Sequence, residues 1–478
     1  MSHGDVPAAV GGADASLIAD VVLTEWVTSR RWFAAKARDI SELNVLDTVV
    51  LRDRSPALAL VIVEARFRAG THELYQLPVG VRPVQEGWDR GVISSGERAT
   101  VYDALTDAAL TAVLVGLMQD SAEIDRLESF VRFHGDGSVT GDAAVDGELG
   151  AKSSTRSLNA EQSNSSVIFD ERLVLKVFRR VEPGINPELE MLSFLAAHGF
   201  EHIAALAGWY EYGGRLMEAT LGVMQRYITP ATDGWQLALE AMETADSSFF
   251  DRVQALGEVT GRMHAVLASD PSSPDFAPEE PSDESVSLLT ATIDEEVERL
   301  FLMLPDRPEL GPIAGRGDEV REHLQHMSHT GIGGRLIRVH GDYHLGQTIY
   351  GPHGWVILDF EGEPARPLLE RRRKRSPLRD VAGMLRSFAY AASATTLLRS
   401  TPAPEGWENQ ARERYLGGYM AQVDLALLPA GQVAIDKLLS MFELEKAIYE
   451  LRYELNNRPD WVSVPAAGIA RLLEEAGG

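Results

Sequence analysis

The apolar and polar positions alternate in the first part of the chain and follow a helical period further on. Alternation over residues 43–52, 58–68 and 71–79 predicts three strands of an antiparallel sheet with one solvent-facing side. A helix is expected at 15–29, a Gly-rich linker at 80–96, and one long helix or a helix pair at 99–118. The first 90 residues are therefore expected to form a separate unit.

A second group of strands follows a Gly-, Asp- and Ser-rich loop at 135–154. Segments 157–161, 166–169 and 172–178 read as strands, with Asp170-Glu171 as the turn between the last two. Asn186-Pro187 then begins a helix, because Asn is a good N-cap and Pro suits the first helical position. From residue 234 the chain is mainly helical, with amphipathic helices at 285–304, 407–427 and 433–455 and a surface loop at 269–283. These patterns divide the chain into residues 1–90, 91–228 and 229–478.

Two acidic segments indicate the chemistry of the helical part. Residues 339–347 read VHGDYHLGQ and residues 356–364 read VILDFEGEP, so Asp342 precedes Gln347 by five positions and Asp359 by 17. In kinases an Asp holds the attacking hydroxyl, an amide five residues later binds a metal ion, and a second Asp binds Mg²⁺. The spacing predicts a phosphoryl-transfer site with Asp342 as the base, and with Gln347 and Asp359 as Mg²⁺ ligands.

The predicted nucleotide site lies earlier in the chain. Lys176 stands alone in the apolar strand pattern LVLKVF, and a buried lysine needs an acidic partner. Glu190, in the helix that starts at Pro187, is the expected partner, with Glu188 as the alternative. The turn at 160–166 occupies the place of a phosphate-binding loop, and the segment 224–228 that of an adenine-binding hinge. The further ATP-binding candidates are Ser163, Asn164, Ser165, Gln225 and Tyr227.

Composition and charge narrow the class of protein and its partners. The 478 residues contain no cysteine, which excludes disulfides, thiolate catalysis and Cys-ligated zinc. The formal net charge of −26 disfavours binding to nucleic acid or to anionic membranes. The N-terminal residues do not form a secretory signal, and the apolar runs are too short to span a bilayer. A soluble cytoplasmic protein, monomeric or weakly dimeric, is therefore expected.

Several segments together resemble one family. VHGDYHLGQ and VILDFEGEP, with EQSNSSV (161–167), VLKVFRRVEPGINPELE (174–190), KRSPLRDVAGMLRS (374–387) and YELNNRPDW (453–461), resemble the actinobacterial maltokinases, within the aminoglycoside-phosphotransferase-like kinases. RRWFAAKAR (30–38) resembles the start of that family's cap, with Ala35 and Ala37 where glycines are expected. The resemblance implies an α+β, bilobal, eukaryotic-protein-kinase-like fold with an N-terminal cap subdomain and a mainly helical C-terminal lobe. It also implies ATP and Mg²⁺ as cofactors, and it carries the roles given above onto Lys176, Asp342, Gln347 and Asp359.

The sequence motifs leave more than one candidate for the acceptor of the phosphoryl group. The family includes relatives that phosphorylate glucosamine, so the anomeric hydroxyl of maltose and the 6-hydroxyl of glucosamine are both candidates. An aminoglycoside acceptor and a catalytically inactive binding module are further alternatives. A sugar pocket needs carboxylates, amides, Arg and aromatic rings. The candidate substrate residues are His344, Glu361, Glu363, Glu445, Tyr449, Arg452, Tyr453, Asn456 and Trp461.

Overall fold

The strands and helices belong to two compact units of the chain. The computed structural model describes residues 20–33, 35–36, 38–126, 128–137, 154–158, 163–328, 333–364, 366–399 and 402–477. The first unit comprises Met1–Ser193 and Ala204–Thr229, and the second comprises Phe194–Ile203 and Pro230–Gly478. Parts of the predicted helix at 15–29 and of the predicted loop at 135–154 lie outside the described residues.

A six-stranded antiparallel sheet forms the N-terminal part of the first unit. Its strands follow the order β1-β2-β3-β5-β4, and β11 pairs with β3. The elements of this part are α1 Asp20–Thr28, β1 Ile40–Arg52, β2 Ala57–Phe67, β3 His72–Pro83, β4 Val92–Ser95, β5 Ala99–Asp103 and β11 Arg180–Val181.

Strand β2 is buried on both faces. Leu58 and Leu60 pack in one hydrophobic core, whereas Ala59 and Val61 pack in another on the opposite side. The sequence of this strand begins with ALALVIV, and such a continuous apolar run is typical of a strand covered on both sides. The prediction of a sheet with one solvent-facing side is therefore wrong for β2.

Residues 99–118 form neither the predicted long helix nor the predicted helix pair. Ala99–Asp103 is strand β5, and helix α2 is restricted to Ala108–Gln119. Asp107 ends the intervening 3₁₀ turn and caps α2, because its carboxylate accepts the backbone N–H of Ala109 at 3.0 Å. Strand β4 also lies inside the predicted linker at 80–96. The sheet consequently continues past residue 90, which is where the sequence patterns place the end of the predicted N-terminal unit of residues 1–90.

A second antiparallel sheet, of seven strands, completes the first unit. Its order is β6-β7-β12-β13-β10-β9-β8. As predicted, Asp170 and Glu171 form the turn between β9 and β10, and both have φ of 51°. Helix α3 begins at Pro187 with Asn186 Oδ1 accepting the N–H of Glu188 at 2.8 Å. The strands are β6 Glu123–Arg126, β7 Ser129–Gly135, β8 Thr155–Leu158, β9 Ser165–Phe169, β10 Leu173–Val177, β12 Leu206–Gly214 and β13 Glu218–Arg226, and helix α3 is Pro187–Ala197.

The second unit is mainly helical, as the sequence predicts. It also contains a small sheet of β14 Thr232–Asp233, β15 Thr348–Gly351 and β16 Gly354–Ile357. Across the described ranges, no helix is both long and apolar enough to cross a membrane. The helices are α4 Gly234–Thr244, α5 Ser248–Leu267, α6 Asp283–Leu302, α7 Gly317–Ser328, α8 Leu368–Arg371, α9 Leu378–Arg399, α10 Trp407–Gln422, α11 Gln432–Asn457 and α12 Ser463–Gly477.

Helices α5 and α10 approach each other closely at glycines. A Cβ atom on Gly257 of α5 would lie 2.0 Å from the carbonyl oxygen of Tyr415, and one on Gly418 of α10 would lie 2.0 Å from that of Gln254. Backbone atoms cannot rotate out of the way as side chains do, so any larger residue at either position must push the helices apart. By contrast, Gly417 has no atom within 4 Å of its Cβ position.

Replacing Gly257 by Ala should therefore lower the midpoint of thermal unfolding. The expected loss of stability is about 1–3 kcal/mol, the usual cost of overpacking a filled interface. The matched control is Gly417→Ala, which should leave the midpoint unchanged or raise it, because Ala favours an exposed helix by up to about 1 kcal/mol over Gly. Equal midpoints for wild type and Gly257→Ala would show that this interface tolerates helix separation.

Candidate active site

The loop that carries Asp342 is held by a buried aspartate of helix α9. Asp380 accepts the backbone N–H groups of His340 at 2.8 Å and of Gly341 at 2.9 Å. His264 Nε2 lies 3.1 Å from the same carboxylate. Burial alone would raise the pKa of Asp380, but the hydrogen bond and charge of His264 hold it below its usual value. The loop is thus anchored by an ionised group that the sequence analysis did not single out.

Asp342 lies beside a lysine that the sequence analysis also missed. Lys446 Nζ, on helix α11, is 3.3 Å from Asp342 Oδ1 and 3.6 Å from Glu363 Oε1. Burial would raise the pKa of Asp342, yet the positive charge of Lys446 holds it below the usual range. Burial would likewise lower the pKa of Lys446, and the carboxylates of Asp342 and Glu363 raise it instead. Both groups are therefore charged at neutral pH.

The second carboxylate oxygen of Asp342, Oδ2, has no hydrogen-bond donor among the described residues. Asp342 Oδ2 lies 4.0 Å from His344 Nε2 and accepts no hydrogen bond from the described residues. His344 uses its other ring nitrogen, Nδ1, to accept the backbone N–H of Gly346 at 3.1 Å. Burial lowers the pKa of His344, which favours the neutral ring. His344 thus shapes the loop and also faces the open oxygen of Asp342.

Gln347 and Asp359 form the candidate metal pair. Gln347 Nε2 donates to Asp359 Oδ2 at 3.1 Å, so the amide and the carboxylate are adjacent. Asp359 has φ of 60°, a left-handed conformation that is costly for any residue except Gly. Such strain persists only where the surroundings impose it, and it is frequent at functional sites. A half-turn of the amide about its Cγ–Cδ bond presents Oε1 beside the carboxylate, which gives two oxygen donors of the kind that Mg²⁺ prefers.

A cavity of about 280 Å³ in the second unit is lined by residues on both sides of Asp342 and by helix α11. Four of the predicted substrate residues line it, namely Glu363, Glu445, Tyr449 and Arg452. Each of the charged ones is ion-paired: Glu445 with Arg379 at 2.8 Å, Arg452 with Glu296 at 3.2 Å, and Glu363 with Arg366 and Lys446. The ring of Tyr449 has the charged groups of Lys446 and Arg452 within 5.5 Å of its centroid. The cavity therefore presents paired charges and one aromatic ring.

The other predicted substrate residues have different surroundings. Glu361 is buried, and its Oε2 lies 3.6 Å from Arg371 Nη1. Tyr453, Asn456 and Trp461 do not line the cavity. Asn456 Nδ2 donates to the carbonyl of Arg452 in its own helix, and Trp461 stacks on Tyr390.

The length of helix α11 explains why Asn456 does not line the cavity that Glu445 lines. Asn456 shares a helix face with Glu445, but 11 residues at 1.5 Å each separate the two by about 16 Å along the axis. A shared face therefore does not bring both residues to one cavity. Tyr453, Asn456 and Trp461 therefore lie outside this cavity, and a role for them in binding the acceptor remains a prediction.

Lys176, in the first unit, forms a buried ion pair with helix α3. Its Nζ lies 2.7 Å from Glu188 Oε2, and both side chains are almost fully buried. Glu188 was the alternative partner, whereas the sequence analysis favoured Glu190. Residues two apart on a helix point in nearly opposite directions, so only one of the two glutamates can face the strand. The expected partner is therefore corrected to Glu188, and Glu190 is half-buried on another face.

The described part of the predicted phosphate turn is tied to the N-terminal sheet. Residues 160–162 lie outside the described ranges, Ser163 is half-buried and Asn164 is buried. Ser165 Oγ accepts a hydrogen bond from Arg179 Nε at 2.8 Å, and Arg179 also pairs with Asp103 of β5 at 2.5 Å. The guanidinium of Arg179 lies 5.1 Å from the ring centre of Trp32. A single buried arginine thus connects this turn with the N-terminal sheet and with the segment that resembles the start of a cap.

The predicted hinge is the end of strand β13. Gln225 is buried and pairs in the ladder with Val174 of β10, and β13 ends at Arg226. The N–H of Tyr227 donates to the carbonyl of Arg172 at 2.7 Å, and its hydroxyl accepts from Arg156 at 2.8 Å. An adenine-binding role for Gln225 and Tyr227 remains a prediction.

Two family profiles match most of the chain. The Maltokinase N-terminal cap domain matches residues 26–107. The Phosphotransferase enzyme family matches residues 154–399, which is more than half of the chain. The first match covers the six-stranded sheet except β11, and the second contains Lys176, Asp342, Gln347 and Asp359.

Curated relatives and solved structures agree with these matches. A glucosamine kinase of Streptacidiphilus jiangxiensis is 28% identical over 352 residues, covering 70% of this chain and 76% of that protein. A glucosamine kinase of Mycolicibacterium smegmatis (strain ATCC 700084 / mc(2)155) is 26% identical over 333 residues, covering 67% of this chain and 80% of that protein. A structure of glucosamine kinase in complex with glucosamine, ADP and inorganic phosphate matches with a TM-score of 0.67 at 20% identity, over 94% of this chain and 98% of that one.

A second glucosamine kinase structure, crystal form B, matches with a TM-score of 0.69 at 21% identity, over 94% of this chain and 99% of that one. At this level of identity the likeness concerns the fold, and it confirms the fold predicted from the sequence motifs. The chain therefore belongs to the phosphotransferase enzyme family, and it is an ATP-dependent sugar kinase that carries a maltokinase-type N-terminal cap.

Proposed function

We propose that the protein transfers the γ-phosphate of ATP to a hydroxyl of a neutral sugar, and that this sugar is maltose, giving maltose 1-phosphate. The observation that carries the proposal is the position of Lys446. Its ammonium group lies 3.3 Å from Asp342, the proposed base, and 3.6 Å from Glu363, which lines the neighbouring cavity. An acceptor that carries its own ammonium group would have to compete with Lys446 for both.

Asp342 acts mainly by orienting the acceptor. An ionised carboxylate whose pKa is held low by Lys446 is a weak base, so it cannot remove a hydroxyl proton before the phosphoryl group begins to transfer. Its open oxygen, Oδ2, accepts the hydrogen bond of the sugar hydroxyl and aims the hydroxyl oxygen at the γ-phosphate. The proton passes to Asp342 late, as the oxygen gains its bond to phosphorus.

Mg²⁺ fits the donor set of Gln347 and Asp359. When bound, the ion neutralises the phosphate charges of ATP and draws electrons from the phosphorus. The residues of this chain supply one carboxylate and one amide oxygen for it, at positions fixed by the short 3₁₀ turn Leu345–Gln347 and by the strained backbone of Asp359.

ATP binding in the first unit rests on Lys176. Glu188 holds the Lys176 ammonium in place, and a strand lysine of this kind pairs with nucleotide phosphates in kinases. Ser163, Asn164 and Ser165 are the described residues proposed for the phosphate turn. Arg179 fixes Ser165 against the N-terminal sheet, which assigns to the cap a part in holding that turn.

We assign the cavity of about 280 Å³ to the sugar acceptor and call it the acceptor cavity. Its charges favour a neutral sugar over an amino sugar. Glu363 and Glu445, two of the candidate substrate residues, are the carboxylates of the cavity that could receive a substrate ammonium group, and both are already ion-paired. The cavity is lined by more basic than acidic side chains, which raises the electrostatic cost of a further positive charge. Arg–carboxylate pairs and a tyrosine ring are groups that bind sugar hydroxyls and ring faces.

Glucosamine is the second candidate acceptor, because the two curated relatives described above are glucosamine kinases. A catalytically inactive binding module is disfavoured, since Lys176, Asp342, Gln347 and Asp359 are all present. An aminoglycoside acceptor carries several ammonium groups, and the same charge argument disfavours it.

The acceptor is tested by a coupled ADP-release assay with Mg-ATP and a panel of maltose, glucose, glucosamine, N-acetylglucosamine and kanamycin. Maltose should give the highest kcat/KM, and glucosamine should give a lower one at a pH where it is protonated. The matched control is the Asp342→Asn variant, which should retain ATP binding and lose turnover with every sugar. Efficient turnover of glucosamine and none of maltose would overturn the proposed acceptor.

The pH dependence tests the pairing of Asp342 with Lys446. In the wild type the acid limb of kcat/KM lies below the pH at which an ordinary aspartate titrates, because Lys446 depresses the pKa of Asp342. In Lys446→Met the carboxylate loses that charge, so its pKa rises and activity should be lost at a pH about one to three units higher. The matched control on the same helix is Lys437→Met, which should keep the wild-type profile. An unshifted acid limb in Lys446→Met would contradict the assigned coupling.

The two glutamates of helix α3 provide a matched pair for the nucleotide site. Glu188→Gln removes the charge that positions Lys176, so kcat/KM for ATP should fall by on the order of 10²-fold. Glu190→Gln should cause a much smaller loss, because Glu190 lies on another face of the helix. The measurement is steady-state kinetics with varied ATP at saturating sugar. A reversed order of the two effects would restore Glu190 as the partner.

A further inference from the structure

A second cavity, of about 410 Å³, adjoins the acceptor cavity within the second unit. The two share several lining residues, among them Arg375, Arg379 and Glu445. Apolar side chains of helix α6, Leu288, Leu289 and Ile293, also line the second cavity. The proposed reaction gives this space no role.

Basic side chains outnumber acidic ones around this second cavity. The acidic ones are already engaged: Glu445 with Arg379, Glu296 with Arg452, and Glu370 with Arg366 at 3.7 Å. A surplus of positive charge remains once these pairs are made. In a chain whose net charge is −26, such a surplus is a local departure from the rest of the protein.

Two arginines account for the surplus. Arg375 and Arg373 line the cavity, and within the described ranges neither makes an ion pair or a side-chain hydrogen bond. Their neighbour Lys374 is engaged, because it donates to Glu279 at 2.6 Å. Arg373 is exposed at the rim, whereas Arg375 is half-buried.

Arg375 carries an electrostatic cost that an anion would relieve. Burial and the positive charges of Arg379 and Arg366 lower its pKa to about 10, although the carboxylates of Glu445 and Glu363 act in the opposite direction. An arginine retains its proton under these conditions, and those two carboxylates form their ion pairs with Arg379, Arg366 and Lys446 rather than with Arg375. Its planar set of N–H donors matches the oxygens of a phosphate or a carboxylate.

We propose that the second cavity binds one anionic group, a phosphate or a carboxylate, through Arg375, with Arg373 closing the rim. Ser376 supports the same site, because its hydroxyl oxygen accepts the N–H of Leu378 at 3.4 Å and its hydrogen remains to donate. The apolar side chains of α6 suit the carbon skeleton of a ligand that carries the anion. The anion is either a separate small ligand such as a sugar phosphate, or a substituent of a second, anionic acceptor that is used in addition to the neutral maltose proposed above and reaches across from the first cavity.

The first experiment measures the binding of inorganic phosphate to the full chain by calorimetry at low ionic strength. The wild type should show one site, and Arg375→Met should weaken it by about tenfold or more, the usual loss for a charged hydrogen bond. Arg373→Met should weaken it less. The matched control is Arg299→Met, on helix α6 but not lining the cavity, which should bind phosphate like the wild type.

Two results would overturn the proposal: absence of phosphate binding in the wild type, and equal binding by the wild type and a folded Arg375→Met variant. Circular dichroism checks the folding of each variant, and Arg375→Gln, which also removes the charge, replaces Arg375→Met if the latter does not fold. Arg375→Lys keeps the charge, so it should bind phosphate more tightly than Arg375→Met. Calorimetry needs no turnover, so failure of the proposed acceptor leaves this test intact.

Kinetics then identify the source of the anion. If the acceptor carries it, maltose bearing a 6′-phosphate should have a lower KM than maltose, and Arg375→Met should abolish that difference. If the anion is a separate ligand, the two sugars should show no such preference, and added phosphate should still bind at Arg375.

Discussion

The contact on which the rest of the site depends is the one between Lys446 and Asp342. The half-buried ammonium group of Lys446 lies beside two carboxylates, keeps the pKa of Asp342 low and engages one of its oxygens. In the proposed reaction the other oxygen receives the sugar hydroxyl. On that proposal, electrostatics near this carboxylate sets both the chemistry of the reaction and the charge of the sugar that can approach.

The backbone around this contact is fixed by groups that take no part in the reaction. Asp380 holds two N–H groups of the catalytic loop, and His264 holds Asp380. In the first unit Arg179 fixes Ser165 in a similar way. It donates to the hydroxyl of Ser165, in the predicted phosphate turn, and pairs with Asp103 of the N-terminal sheet. Such supporting contacts are required because a displacement of the reacting groups by about 1 Å is enough to slow a reaction that depends on their positioning.

The sequence points most directly to features in which residue type and spacing are dictated by local chemistry. Asp342, Gln347 and Asp359 lie on short segments with a set spacing, and the helix at Pro187 begins where its cap predicts. Lys446 and Asp380 were missed because their partners lie 104 and 40 residues away in the chain. In the sequence Lys446 follows Glu445 between the apolar residues Leu444 and Ala447, a pattern shared by ordinary surface positions of a helix. Strand β5 was missed because its five residues precede a longer apolar helix, and pairing with β3 decides its conformation.

The most direct test of the account is the acceptor selectivity of Lys446→Met. The quantity to measure is the ratio of kcat/KM for maltose to that for glucosamine, in the variant and in the wild type under the same conditions. The substitution also raises the pKa of Asp342, but this change lowers kcat/KM for both sugars by the same factor and therefore cancels in the ratio. The account predicts that the ratio falls sharply, because the variant frees the carboxylates for a substrate ammonium. A ratio equal to that of the wild type would contradict the claim that Lys446 selects a neutral sugar.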